Sequence, residues 1–236
     1  MALGAPEDRT LTLRNGVDLE RFSLGDRAAC RARLGLSGFV LLSVGSLIQR
    51  KGHALTIEAM RRYPDGVLLI AGSGPLRAEL EALARALGVA DRVRFLGETP
   101  HADLPDLYRA ADIMVLASER EGWANVLLEA MASGTPVVAT AVNGAPEVVR
   151  SPSAGVLVRE RTVERLVEAI DRLRHTRPSR EETRRYAEAF SWSTVAAANK
   201  TLLRSVAACG YRGRYSPGIM QGVRRLLAGD VARARP

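Results

Sequence analysis

Cysteine is scarce in this chain: Cys30 and Cys209 are the two present, and they fit no metal-binding or redox spacing. One optional bridge is the most they could form, and reduced thiols in a cytoplasmic protein are the simpler expectation. Histidine is nearly as sparse. His53, His101 and His175 lie far apart, with no metal-type pair and no serine elbow, so each is expected on the surface or at a helix cap. Aromatic residues make up 5% of the chain, without the basic-aromatic platform that reads single strands or RNA, so nucleic acid is not an expected partner. No apolar run reaches the ~20 residues that span a bilayer, and Met1 to Asp8 lack the basic flank and apolar core of an export signal.

Negative charge is also short. The formal net charge is +8, but its distribution matters more than its sum. Arg212, Arg214, Arg224, Arg225, Arg233 and Arg235 face only Asp230 beyond residue 208, so five of the eight net charges belong to this tail. Ile219, Met220, Val223, Leu226 and Leu227 fall on one helical face there. Such a helix either packs on protein or lies on acidic lipid as a peripheral contact at the inner membrane face.

What is present suits one α/β domain. At 236 residues the chain can bury a full core but not two large domains. Buried-strand patterns run Phe39 to Gly45, Gly66 to Gly72, Arg92 to Gly97, Asp112 to Ala117, Pro136 to Ala139 and Ala154 to Val158. Helical patterns follow at Ala54 to Arg62, Leu76 to Leu87, Asp103 to Ala111 and Val126 to Ser133. Val163 to Leu173, Arg180 to Phe190 and Ser193 to Ala208 close the series. A small helix is expected at Cys30 to Leu36, closed by Gly35 or Gly38, and a short strand with an Asn-Gly turn between residues 11 and 22. The expected fold is a Rossmann-like parallel sheet of about six strands flanked by helices.

In such a sheet ligands bind beyond the carboxyl ends of the strands. The loop Ser118 to Ala124 is placed there, with Asn125 as N-cap of the helix that follows. Free N–H groups at a helix start favour an anion such as phosphate. Glu121 and Glu129 beside a phosphate suggest sugar hydroxyls flanking it, although a glutamate in a first helical turn is also worth about 0.3–1 kcal/mol against the helix dipole. Arg50 and Lys51 lie in another such loop. As surface residues they need no ligand, and as site residues they would meet an anion. Gly72-Ser-Gly74 is a weak dinucleotide signal, better explained as a tight turn before Pro75, and no acidic residue follows at the spacing of an NAD site.

The run E-G-W-A-N-V-L-L-E-A-M-A-S-G-T-P-V-V-A-T from Glu121 to Thr140 resembles the signature of family 4 glycosyltransferases of the GT-B fold. The resemblance covers about residues 11 to 208. It implies that Glu129 holds the ribose of a nucleoside diphosphate sugar and that Glu121 lies against the transferred sugar. Lys51 and the helix start at Asn125, Val126 and Leu127 would hold the diphosphate. Leu96 and Gly97 would offer backbone groups to the base, and Gly144 and Glu147 would lie beside the sugar. Gly74 would border the site, and Ser46 stands where the family commonly has an arginine, a role that Arg50 would have to replace. The family implies a retaining transfer without metal or other cofactor. It also implies a linker over 1–22, a donor-binding C-terminal domain over 23–208, a basic tail over 209–236 and an acceptor domain missing from this chain. The chain alone is then expected to bind donor but transfer poorly; a non-catalytic nucleotide-sugar-binding subunit needing a separate acceptor partner is the alternative.

Overall fold

The computed structural model describes residues 14–208, with side chains described through Arg204. The apolar runs become β1 (Phe39–Val44), β2 (Gly66–Ala71), β3 (Val93–Gly97), β4 (Ile113–Leu116), β5 (Val137–Thr140) and β6 (Gly155–Val158). All pair in parallel, in the order β3-β2-β1-β4-β5-β6. Between them run α1 (Arg27–Arg33), α2 (His53–Ala59), α3 (Arg77–Ala86), α4 (Leu104–Ala110), α5 (Asn125–Ala132), α6 (Ala145–Val148), α7 (Val163–Thr176), α8 (Arg180–Ala187) and α9 (Trp192–Ala208).

The strands are apolar at nearly every position because both faces of the sheet are covered. Val40, Leu42, Leu69, Met114 and Val137 enter a core completed by Tyr108 of α4, Leu127 and Met131 of α5 and Tyr186 of α8. Their neighbours Leu41, Leu68, Ile113 and Val138 point the other way, onto Ile57 of α2, Leu80 of α3 and Ile170 of α7. This is the two-residue alternation of a pleated strand carried through the whole sheet.

The short strand expected ahead of the Asn-Gly turn falls on residues 11–13, outside the described residues; further on, Val17 makes one isolated bridge to Ser191. Asp18 Oδ1 accepts from the N–H groups of Glu20 and Arg21 at 3.1 and 3.0 Å, which turns the backbone there. Helix α1 starts at Arg27, earlier than expected, because Asp26 caps it by accepting from Ala29 N–H at 2.9 Å. Asn125 is the first residue of α5 and not its cap: Ala124 holds that place without a side-chain bond, and Asn125 Oδ1 accepts from Asn15 Nδ2 at 3.5 Å. The amphipathic stripe expected between Ile219 and Leu227 lies outside the described residues, as does Cys209.

The strand order reverses between β1 and β4. At such a reversal the loops leave towards opposite faces and open a crevice at the carboxyl edge.

Candidate functional site

Beyond β1 the chain enters a 3-10 turn, Gln49–Lys51, closed by Gly52 in the left-handed region at φ 69°. A Cβ on Gly52 would stand 2.1 Å from Ala117 O, so only glycine lets this turn press against the end of β4. Glu119 N–H donates to Arg50 O at 2.7 Å, and Arg161 Nε donates to Ala117 O at 2.8 Å. The loops after β1 and β4 are thereby stitched together.

Within that joint Lys51 Nζ lies 2.6 Å from Glu121 Oε1, and Ser118 Oγ donates to the same oxygen at 2.6 Å. The side chains of Lys51 and Glu121 are 16% and 8% exposed, so each replaces most of the other's water. Glu121 N–H donates to Asn143 Oδ1 at 3.3 Å, which ties in the loop after β5. Arg50 turns outward to Arg120 O at 3.4 Å. Ser46 contributes its carbonyl, which accepts from Ile48 N–H at 2.9 Å and faces His53 Nε2 at 3.3 Å. His53 is therefore not a surface residue. It is buried, with Nδ1 3.0 Å from Ser43 Oγ, and burial pushes its pKa down and favours the neutral ring.

Glu129 falls in the second turn of α5, beyond the N-terminal positions where the helix dipole alone would explain it. Tyr108, fully buried, donates its hydroxyl to Glu129 Oε2 at 2.9 Å. Burial, with the Glu129 carboxylate beside it, pushes that hydroxyl well above the usual tyrosine range and keeps it a donor. His101 Nε2 lies 3.2 Å from Glu129 Oε1, so this histidine does more than face solvent. His175 is exposed on α7, as expected, with Nδ1 against Asp171 O.

The start of α5 offers less than the sequence promised. Asn125 N–H donates to Trp123 O at 3.1 Å and Leu127 N–H to Ala124 O at 3.0 Å, whereas Val126 N–H has no backbone acceptor among the described residues. Glu147 is paired with Arg14, whose Nε lies 3.0 Å from Oε2 and whose guanidinium sits 5.2 Å over the Trp123 ring. A Cβ on Gly144 would meet Gly122 O at 2.7 Å, which brings the loops after β4 and β5 together.

Gly74 packs its Cα edge against Leu47: a Cβ there would stand 2.6 Å from Leu47 O, which supports the tight-turn explanation. At the end of β3, Phe95 pairs with Ile70 and Gly97 with Ala71, leaving Leu96 as a bulge. Gly97 O accepts from Gly72 N–H at 2.8 Å.

The structure thus unites Lys51 with Glu121 and brings Gly144 against the same loop, while Glu129 makes a separate cluster with Tyr108 and His101. Sequence reasoning missed Tyr108, His101, Asn143, Arg161 and Arg14 as members, since no local spacing marks them. Among the described residues no group of three or more His, Cys, Asp or Glu side chains could hold a metal ion, and no helix is long and apolar enough to cross a membrane.

A six-stranded parallel sheet covered by helices on both faces, with a polar cluster at its strand reversal, defines a Rossmann-like α/β domain. The chain belongs to the group 1 glycosyl transferases, whose family model matches residues 31–190. It is 37% identical to the D-inositol 3-phosphate glycosyltransferase of Geodermatophilus obscurus over 259 aligned residues, 98% of this chain and 56% of that protein. The corresponding Mycobacterium bovis enzyme is 37% identical over 206 residues, 81% of this chain and 43% of its own length. Among solved structures, sucrose-phosphate synthase from Thermosynechococcus elongatus superposes with a TM-score of 0.76 at 33% identity, covering 84% of this chain and 53% of that one. Anabaena HepE in complex with UDP gives 0.80 at 26% identity, covering 86% and 59%. These neighbours share the GT-B type of sheet, and the chain spans about half the length of the curated relatives it matches.

Proposed function

We propose that this chain is the donor-binding, C-terminal half of a retaining family 4 glycosyltransferase. In the complete enzyme a sugar passes from a nucleoside diphosphate to an acceptor, with its anomeric configuration kept and without a metal or other cofactor. The observation that carries the reading is the contact of Lys51 with Glu121 across the switch-point crevice. It sets a cation for the diphosphate beside a carboxylate for sugar hydroxyls, each from a different loop.

Lys51 and Val126 N–H would meet the charge that develops on the leaving diphosphate. Glu129 would take the ribose hydroxyls, with Tyr108 fixing Oε2 and His101 giving up Oε1 to the ligand. The backbone at Leu96 and Gly97 would face the base, Gly144 and Glu147 the sugar, and Gly74 the rim. The family match and the UDP bound to HepE support this donor class and make UDP the first nucleotide to try. Catalysis needs both reactants held in near-attack geometry, so transfer is assigned to the chain together with an acceptor domain. A non-catalytic subunit that works with a separate acceptor polypeptide is the second reading, favoured by Ser46 at the position where the family commonly has a cation. A cytoplasmic location, with the basic tail at the inner membrane face, belongs to the same proposal.

Calorimetric titration with UDP, GDP, ADP and their sugar conjugates tests it, beside Glu129→Ala and Lys51→Ala. Selective binding of one nucleotide, lost in both variants, is the expected result. Absence of binding to all of them overturns the reading, and efficient transfer by the chain alone overturns its need for an acceptor domain.

A further inference from the structure

A second polar concavity lies at the opposite, amino-terminal edge of the sheet. It is a groove of about 850 Å³ floored by Phe39, Ile113 and Pro136 at the starts of β1, β4 and β5. Five arginines and one acidic residue are among those that line it. We propose that this groove, where Arg27, Arg31, Arg174, Arg177 and Arg180 converge around Asp112, binds a ligand carrying two or more phosphate groups.

Asp112 is fully committed to the fold. Its Oδ1 accepts from Arg27, while Oδ2 accepts from Val40 N–H at 2.8 Å and lies 3.4 Å from Arg31. One carboxylate thus serves two arginines and a backbone group, and four positive charges remain uncompensated by the groove's own lining. Arg27 Nε is buried without a hydrogen-bond partner among the described residues. Arg180 is held in place by Ala111 O, Ser133 O and Thr135 Oγ1 at 3.1, 2.9 and 3.0 Å. Its pKa is pushed down to about 10, by burial first and then by Arg27, with Arg31 adding to the same effect and Asp112 and Glu181 opposing it. Burial and the nearby Arg27 thus both act against the charge on Arg180, and an anion bound beside it would favour that charge.

Arg174 and Arg177 have partial structural explanations. Arg174 stacks 4.5 Å over Phe39, with Asp171 3.9 Å away, and sits in the last turn of α7 where the helix dipole favours a cation. Arg177 Nε donates to Arg174 O at 3.0 Å. Yet Arg177 follows α7 in the left-handed region at φ 43°, a position for which glycine is the default. An arginine kept there costs backbone energy and gains the groove a guanidinium, whose terminal nitrogens have no protein acceptor among the described residues. Planar guanidinium forks arranged around an open space match phosphate oxygens in geometry as well as charge.

The test uses the whole chain and two probes: tripolyphosphate in calorimetry, and co-sedimentation with vesicles containing cardiolipin, which carries two phosphates, against phosphatidylcholine vesicles. Arg177→Gly relaxes the backbone as it removes the cation, so the fold is retained; Arg174→Ala is added to it, and Lys51→Ala controls for the crevice at the other edge. Tripolyphosphate binding about tenfold weaker in the double variant, but kept in Lys51→Ala, supports a soluble phosphorylated ligand. Selective sedimentation with cardiolipin vesicles that the double variant loses supports a lipid headgroup. The proposal is overturned if the unaltered chain binds neither probe, or if the double variant binds as the unaltered chain does. Since Lys51→Ala separates the two edges, this outcome is independent of the nucleotide titration.

Discussion

Tyr108 gives its only hydroxyl to Glu129 Oε2 at 2.9 Å, inside a core where the tyrosine has no exposed surface. A buried donor and a buried acceptor thus satisfy each other, and one glutamate oxygen is locked in place. Tyr108→Phe is expected to cost about 1–2 kcal/mol of stability, because Glu129 keeps its burial and loses a donor. Urea denaturation measures this, and nucleotide titration of the same variant should show weaker binding with the capacity unchanged.

Removing Lys51 strands a carboxylate that is almost out of water. Lys51→Ala is expected to destabilise the chain by about 3 kcal/mol, as breaking one side of a buried pair does. Lys51→Met with Glu121→Gln should recover most of that loss. Equal denaturation midpoints for the single and double variants would contradict the pairing.

The joint between the first and fourth strand loops rests on Gly52. Gly52→Ala would place a methyl group 2.1 Å from Ala117 O at a left-handed backbone. A loss of more than about 1 kcal/mol is expected, together with weaker nucleotide binding. A variant as stable as the parent would mean that the two loops part without cost.

Stability should fall below neutral pH through His53. Burial lowers its pKa from the ordinary 6.5, so the unfolded chain binds a proton that the folded chain resists. The contribution is therefore present above pH 6.5 and is lost as pH falls towards the folded value. Urea midpoints at successive pH values check this, and His53→Gln should flatten the slope in that window.

The sheet was legible in the residues because its strands are short, continuous apolar runs separated by glycine and polar turns, as in Phe39 to Gly45 and Gly66 to Gly72. The positions of Lys51 and Glu121 were legible for a related reason: each follows such a run. Their contact was not, since it depends on how Gly52 lets one turn settle on another strand. The partners of Glu129 were hidden more deeply. Tyr108 reads as one more apolar position on its helix, and nothing local says that its hydroxyl reaches a residue one strand and one helix further on. At Asn125 a strong capping preference misled, because the loop geometry places Ala124 at the cap and turns the asparagine outward.

The bulge at Leu96 has a bearing on how copies of this chain behave near one another. Among the described residues the third strand is an outer edge of the sheet, with one side of its backbone unpaired. A regular edge of that kind is a template on which another chain can add a strand. The irregularity at Leu96, with Arg94 on the same strand, spoils the template at its carboxyl end. Straightening this strand by deleting Leu96 would therefore leave the core intact and make the protein more prone to join edge to edge.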